Sequence, residues 1–192
     1  MEGVSNNPNI LERKEKPKVL YVSAQTAGIK ELIPTKGRSR DDKEGPVIFS
    51  TPDKTLASVF LVEGHDDSWM QIGYYDDIPC VIICMDRKEF IKRDKGGIMY
   101  EVPSDTFDYN PNLGMGEKEW TSSKPVKPTK ETTCSSALDT MIKNGVNVYF
   151  VDRDTFKKIN NSNDNGFSIL LSITSENKKR NKVIKPLEDL TK

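Results

Sequence analysis

Histidine is almost missing from this chain: His65 is the only one in 192 residues. Cysteine is scarce as well, and Cys80, Cys84 and Cys134 make an odd count. One histidine and three scattered thiols argue against a Cys/His zinc site, and no metal is expected. An odd cysteine count does not suit a disulfide framework, so a reduced, cytoplasmic setting fits. Net charge is missing too, with 29 basic against 29 acidic residues. General attraction to nucleic acid or to an anionic membrane is therefore not expected. No apolar run reaches the length of about 18 residues that a membrane-spanning helix needs. Residues 1–16 contain no apolar core of a secretory leader, so none is expected. Neither common glycine-rich phosphate loop occurs. A charged fraction of 30% and a mean hydropathy of −0.61 are those of a soluble protein.

What is present is a series of short apolar runs between polar ends. Residues 1–17 are polar and read as a flexible arm, residues 18–172 as one domain, and residues 173–192 as a charged tail. Lys18–Ser23 is apolar nearly throughout and reads as an interior strand. Ile29–Ile33 is either one helical turn or a short extended piece. Thr35–Gly45 is a loop carrying both charges, and its arginines, Arg38 among them, suit phosphate if they border a pocket. The Cys80–Met85 run is the most apolar and predicts a central strand with Cys80 and Cys84 both buried and reduced. On a strand those two thiols stand about 13 Å apart, beyond disulfide reach. Ile98–Val102 and Val146–Val151 are further strands. Val126–Thr132 is extended, with Pro125 before it and Pro128 within it, which suits an edge. Phe167–Ile173 is a candidate last strand. Helices are predicted at Asp86–Phe90, at Ser135–Lys143 with Asn144-Gly145 as its C-cap, and at Asp152–Ile159. Six or seven strands with a few short helices, not in regular alternation, predict an α+β fold with a mixed, mostly antiparallel sheet.

Chemistry concentrates at three places. Val47-Ile48-Phe49 runs into Ser50-Thr51-Pro52-Asp53, and Leu56, Val59 and Phe60 then recur at helical spacing. Ser50 or Thr51 is expected to cap that helix, with Pro52 in its first turn. Such a joint either is a plain strand-to-helix connection or holds an anion on the helix amides. The end of the first strand, Tyr21-Val22-Ser23, is the second place. The third is Glu117 and Glu119. Two apart on a strand, they would point the same way and show two carboxylates to one cleft. The bland alternative is a solvated strand face.

Leu20-Tyr21, Phe49-Ser50-Thr51-Pro52-Asp53 and Glu117-Lys118-Glu119-Trp120, in that order, resemble the ADP-ribosyltransferase fold. The likeness is to small bacterial and phage members and, more distantly, to RNA 2′-phosphotransferases, and it covers about residues 18–152. It implies a split sheet and NAD bound as substrate, with a protein or nucleic-acid acceptor. It assigns catalysis to Glu119 and Glu117 and cofactor binding to Tyr21, Ser23, Ser50, Thr51 and Arg38. Tyr21, Tyr100 and Trp120 are the expected aromatic walls. One position departs: the family's Arg or His falls near Val22. The resemblance therefore implies either an ADP-ribosyltransferase or NAD hydrolase, or a degenerate member that binds a nucleotide or partner protein without turnover.

Overall fold

The computed structural model describes residues 15–36, 44–75, 77–164, 166 and 168–172. These form a mixed α+β structure with antiparallel and mixed sheets and few, short helices. In chain order the elements are β1 (Val19–Ala24), β2 (Ile48–Ser50), α1 (Lys54–Val59), β3 (Met70–Tyr75), β4 (Ile78–Ile83), α2 (Arg87–Arg93) and β5 (Gly97–Pro103). A 3₁₀ turn at Gly116–Lys118 leads into β6 (Trp120–Ser122), followed by β7 (Lys130–Cys134), α3 (Ala137–Lys143), β8 (Asn147–Phe150) and α4 (Arg153–Asn160).

β1 is the hinge between two layers. One edge pairs antiparallel with β5, which pairs in turn with β7. The other edge meets the end of β2 through a reciprocal pair of bonds, Tyr21 N–H to the Thr51 carbonyl at 2.8 Å and Thr51 N–H to the Tyr21 carbonyl at 3.0 Å. β2 carries β6 beyond it, with Ser50 opposite Trp120. Both edges of β1 are thus engaged, which its apolar sequence anticipated. Side chains alternate along a strand. Leu20 and Val22 enter one core with Tyr100, Val102, Phe107 and Trp120, while Tyr21 packs on the other core.

The second sheet has the order β3-β4-β8, and its β4–β8 pair is parallel. β4 is central and covered on both faces. Val81 and Ile83 pack toward α1 and α3, whereas Cys80 and Ile82 pack under α4 with Phe156 and Ile159. That double burial is why the run is apolar without alternation. Pro79 sits where β4 pairs with β3 only, since β8 begins opposite Cys80. Its missing N–H therefore breaks no bond of the parallel ladder. No helix among the described residues is long and apolar enough to cross a membrane.

Several local expectations change. Ile29–Ile33 is extended, because Leu32 exchanges backbone bonds with Val126. Cys84 falls just beyond β4 and is only half-buried, unlike Cys80. Residues 168–172 are helical instead of a strand. Asp164 accepts the Ser168 N–H at 2.9 Å in the manner of an N-cap, and Leu170 enters the core beside Ile159. The cap of α1 is Asp53, whose carboxylate accepts the Thr55 N–H at 2.8 Å. Pro52 precedes the helix, and neither Ser50 nor Thr51 is its cap. Residues 1–14 and 173–192 lie outside the described residues. Within the arm expected to reach residue 17, Lys16 donates to the Asp105 carbonyl at 3.2 Å.

Candidate functional site

A cleft of about 740 Å³ opens where β1, β2, α1 and β3 approach the turn before β6. Tyr21 and Ser23 reach it from β1, Ser50 from β2, Thr51 from the residue after it, and Glu119 from the residue before β6. Five of the residues singled out in the sequence therefore share one cavity, although Tyr21 and Glu119 are almost a hundred positions apart. The register of β1 explains the strand-one contribution. Val22 is turned into the core with Leu20, so a cation at that position would be buried, and the cleft side belongs to its neighbours.

The hydroxyls are largely committed to the backbone. Ser23 Oγ donates to the Ala57 carbonyl at 2.6 Å, and Ser50 Oγ donates to the Trp120 carbonyl at 3.2 Å. Thr51 Oγ1 accepts the Asp53 N–H at 3.1 Å. A hydroxyl that donates to a carbonyl keeps its own lone pairs, so Ser23 and Ser50 present acceptors to a ligand. The helix start offers no anion site: Asp53 takes the Thr55 amide and brings a negative charge to that end. Glu119 is anchored by the Met115 N–H, which donates to its Oε2 at 3.0 Å.

Glu117 is not beside Glu119 on a strand. It stands in the 3₁₀ turn, exposed, while Glu119 follows in extended backbone and β6 begins only at Trp120. A 3₁₀ turn has about three residues per turn, so two positions apart is not the same side. Glu117 lines a separate hollow of about 250 Å³ with Trp120 and Tyr109, whose rings lie 5.0 Å apart. Trp120 is therefore a wall of that hollow and not of the main cleft. Tyr100 is fully buried and its hydroxyl donates to the Thr26 carbonyl at 2.8 Å. The apolar walls of the cleft are Phe49, Phe60 and Leu56. Arg38 lies outside the described residues.

Other lining residues escaped the sequence reading, Lys118, His65, Asp67 and Gln71 among them. His65 Nδ1 lies 2.8 Å from the Val62 carbonyl. A carbonyl only accepts, so Nδ1 is the donor in that bond. Lys118 was legible only as the residue between two glutamates. Its ammonium sits 3.5 Å from the centre of the Tyr74 ring and 3.4 Å from the Asp77 carboxylate. Burial, with Asp53 and Asp77 adding to it, holds the Tyr74 phenol well above its usual range.

A second cavity of about 720 Å³ is lined by Trp69, Cys84, Arg93, Lys95 and Arg153 among others. Arg93 pairs there with Glu89, Lys95 with Glu63, and Arg153 donates to the Ser68 carbonyl. The first cleft has the better claim to a ligand, because it combines acceptors, a carboxylate and apolar walls. Among the described residues no group of three or more His, Cys, Asp or Glu side chains is arranged to hold a metal ion. Comparison with protein-family models, with curated proteins and with solved structures finds no match to this chain.

Proposed function

We propose that the chain is an NAD-dependent ADP-ribosyltransferase-like protein that transfers ADP-ribose to a protein or nucleic-acid acceptor, or to water. The observation that carries this reading is the convergence of Glu119 with Tyr21, Ser23 and Ser50 in one cleft. The reaction breaks the bond between ribose C1′ and the nicotinamide nitrogen, and nicotinamide leaves with the electron pair. C1′ becomes cationic before the acceptor's oxygen or nitrogen attacks it and loses its proton. Glu119 supplies the negative charge that this centre needs, and its bond to the Met115 amide fixes the carboxylate in advance. Phe49 and Phe60 supply apolar walls for a planar base. Glu117, in its separate hollow, takes no part in the sugar chemistry of this reading.

A second reading, binding without turnover, is favoured by Val22. Its side chain lies in the core, so strand one offers the cleft no cation of its own. Two measurements separate the readings. Calorimetry with NAD and with ADP-ribose reports binding, and nicotinamide release reports turnover. For an enzyme, Glu119→Gln is expected to slow release by about 10²- to 10³-fold, as for an electrostatic contact made mainly in the transition state. ADP-ribose affinity should change by less than about threefold. Binding with no nicotinamide release by the unsubstituted chain would establish the second reading. No binding of either nucleotide would defeat both.

A further inference from the structure

We infer that Lys118 is the residue through which the cleft takes an anionic, phosphate-bearing ligand. This inference rests on the nucleotide reading above and assigns the charged part of that ligand to one side chain. Among the described residues lining the cleft, Lys118 is the only lysine or arginine. The carboxylates of Asp67 and Glu119 line the same space, so Lys118 is the side chain that offsets part of their negative charge. The ammonium is also placed in advance. It lies over the Tyr74 ring, 3.5 Å from its centre, and a cation over an aromatic face is attracted by the ring quadrupole. The lysine is only 29% exposed, whereas its ion-pair partner Asp77 is 98% exposed. An ion pair with so solvated a partner is weak and readily exchanged. A phosphate oxygen can take the place of Asp77, which does not itself line the cleft. Lys118 adjoins Glu119 in sequence, so the groups for the phosphate and for the sugar come from consecutive residues. Lys118 lines the Trp120 hollow as well, so it stands where the two spaces meet.

The test is calorimetry on the full chain with ADP-ribose as probe, at two or more salt concentrations. Lys118→Met keeps the stem over Tyr74 and removes the charge. It is expected to weaken ADP-ribose about tenfold, the scale of one charge-assisted hydrogen bond. It should also flatten the salt dependence, because one screened attraction is gone. Lys118→Arg should restore both affinity and salt dependence. Thermal melts of the variants within a few degrees of the parent would show that the fold is kept. ADP-ribose affinity within twofold of the parent, or an unchanged salt dependence in Lys118→Met, would overturn the inference and leave the nucleotide reading standing. Failure of the parent chain to bind ADP-ribose at all would overturn both.

Discussion

Cys80 and Cys84 share an apolar run, yet one β-strand end separates their fates. Cys80 is buried beneath α4, and burial pushes its thiol up to about 12. Cys84 stands past the end of β4, half-buried, and borders a cavity. A thiol reacts as its thiolate and only where reagent reaches it. In the native chain a disulfide reagent is therefore expected to label Cys84 well before Cys80 and the buried Cys134. Labelling followed by peptide mapping checks this, and equal rates at Cys80 and Cys84 would contradict it. Glycine matters acutely at Gly96. Gly96 adopts φ +67°, and a Cβ there would stand 1.8 Å from the Cys134 carbonyl oxygen. Positive φ and a backbone clash act together, so Gly96→Ala is expected to cost about 3 kcal/mol or more. A denaturant titration measures it.

Among the elements, α3 is tied down by a residue far away in sequence. Ser136 is its N-cap and accepts the Asp139 N–H at 3.0 Å. Asp94, at the end of α2, accepts the Ala137 and Leu138 amides at 2.8 and 2.9 Å and the Ser136 hydroxyl at 2.8 Å. It also accepts the Gly96 N–H at 2.8 Å. Burial pushes the Asp94 carboxyl up, but these four bonds outweigh it and hold it below the usual carboxylate range. Asp94→Ala removes the shared acceptor of two helix-start amides, and a loss of about 1–3 kcal/mol is expected. The pH dependence has a definite sign. A carboxyl whose pKa is lower in the folded chain binds fewer protons folded than unfolded. Its contribution is complete above the unfolded value of about 4 and is lost as pH falls through the folded value. Asp152, cap of α4, is shifted the same way, chiefly by its bond from the Thr155 amide. Melting temperature is thus expected to fall below about pH 4. The fall should be shallower in Asp94→Asn, which no longer has that carboxylate to protonate.

At the scale of the whole molecule, β1 supplies both layers. Leu20 and Val22 belong to the core beneath β5 and β6, while Tyr21 packs on the core between α1, α3 and the second sheet. Cores that share a strand melt together. Leu20 is fully buried, and Leu20→Ala is expected to cost about 2–5 kcal/mol. It should do so in one cooperative transition, seen alike by tryptophan fluorescence and far-ultraviolet circular dichroism. Two separated transitions would show that the layers are independent. The same strand gives the cleft its position: Tyr21 and Ser23 face it on the side opposite Leu20 and Val22, so core and site are the two faces of one element.

Much of this architecture was legible in the chain, because it rests on local physics. Apolar runs of strand length marked β1, β4, β5 and β8. Asn144 and Gly145 marked the C-terminal end of α3, and the absence of regular strand–helix alternation pointed to α+β. Tyr21, Ser50 and Glu119 were singled out by the order of three short motifs, and they line one cleft. The remainder depended on partners distant in sequence. Glu117 and Glu119 alternate as if on a strand, yet Met115 and the tight bonds of residues 113–119 turn the backbone into a 3₁₀ turn before β6 begins. Residues 168–172 read as a strand, but Asp164 caps them into a helix and Leu170 fits the core beside Ile159. Lys118 carries no distinguishing pattern in its neighbourhood. The Tyr74 ring that holds its ammonium lies 44 positions earlier, on the β3–β4 hairpin. Periodicity reports which face of an element is apolar. Which side chain of another element stands opposite is decided only when the chain closes on itself, and the cleft is made of such pairs.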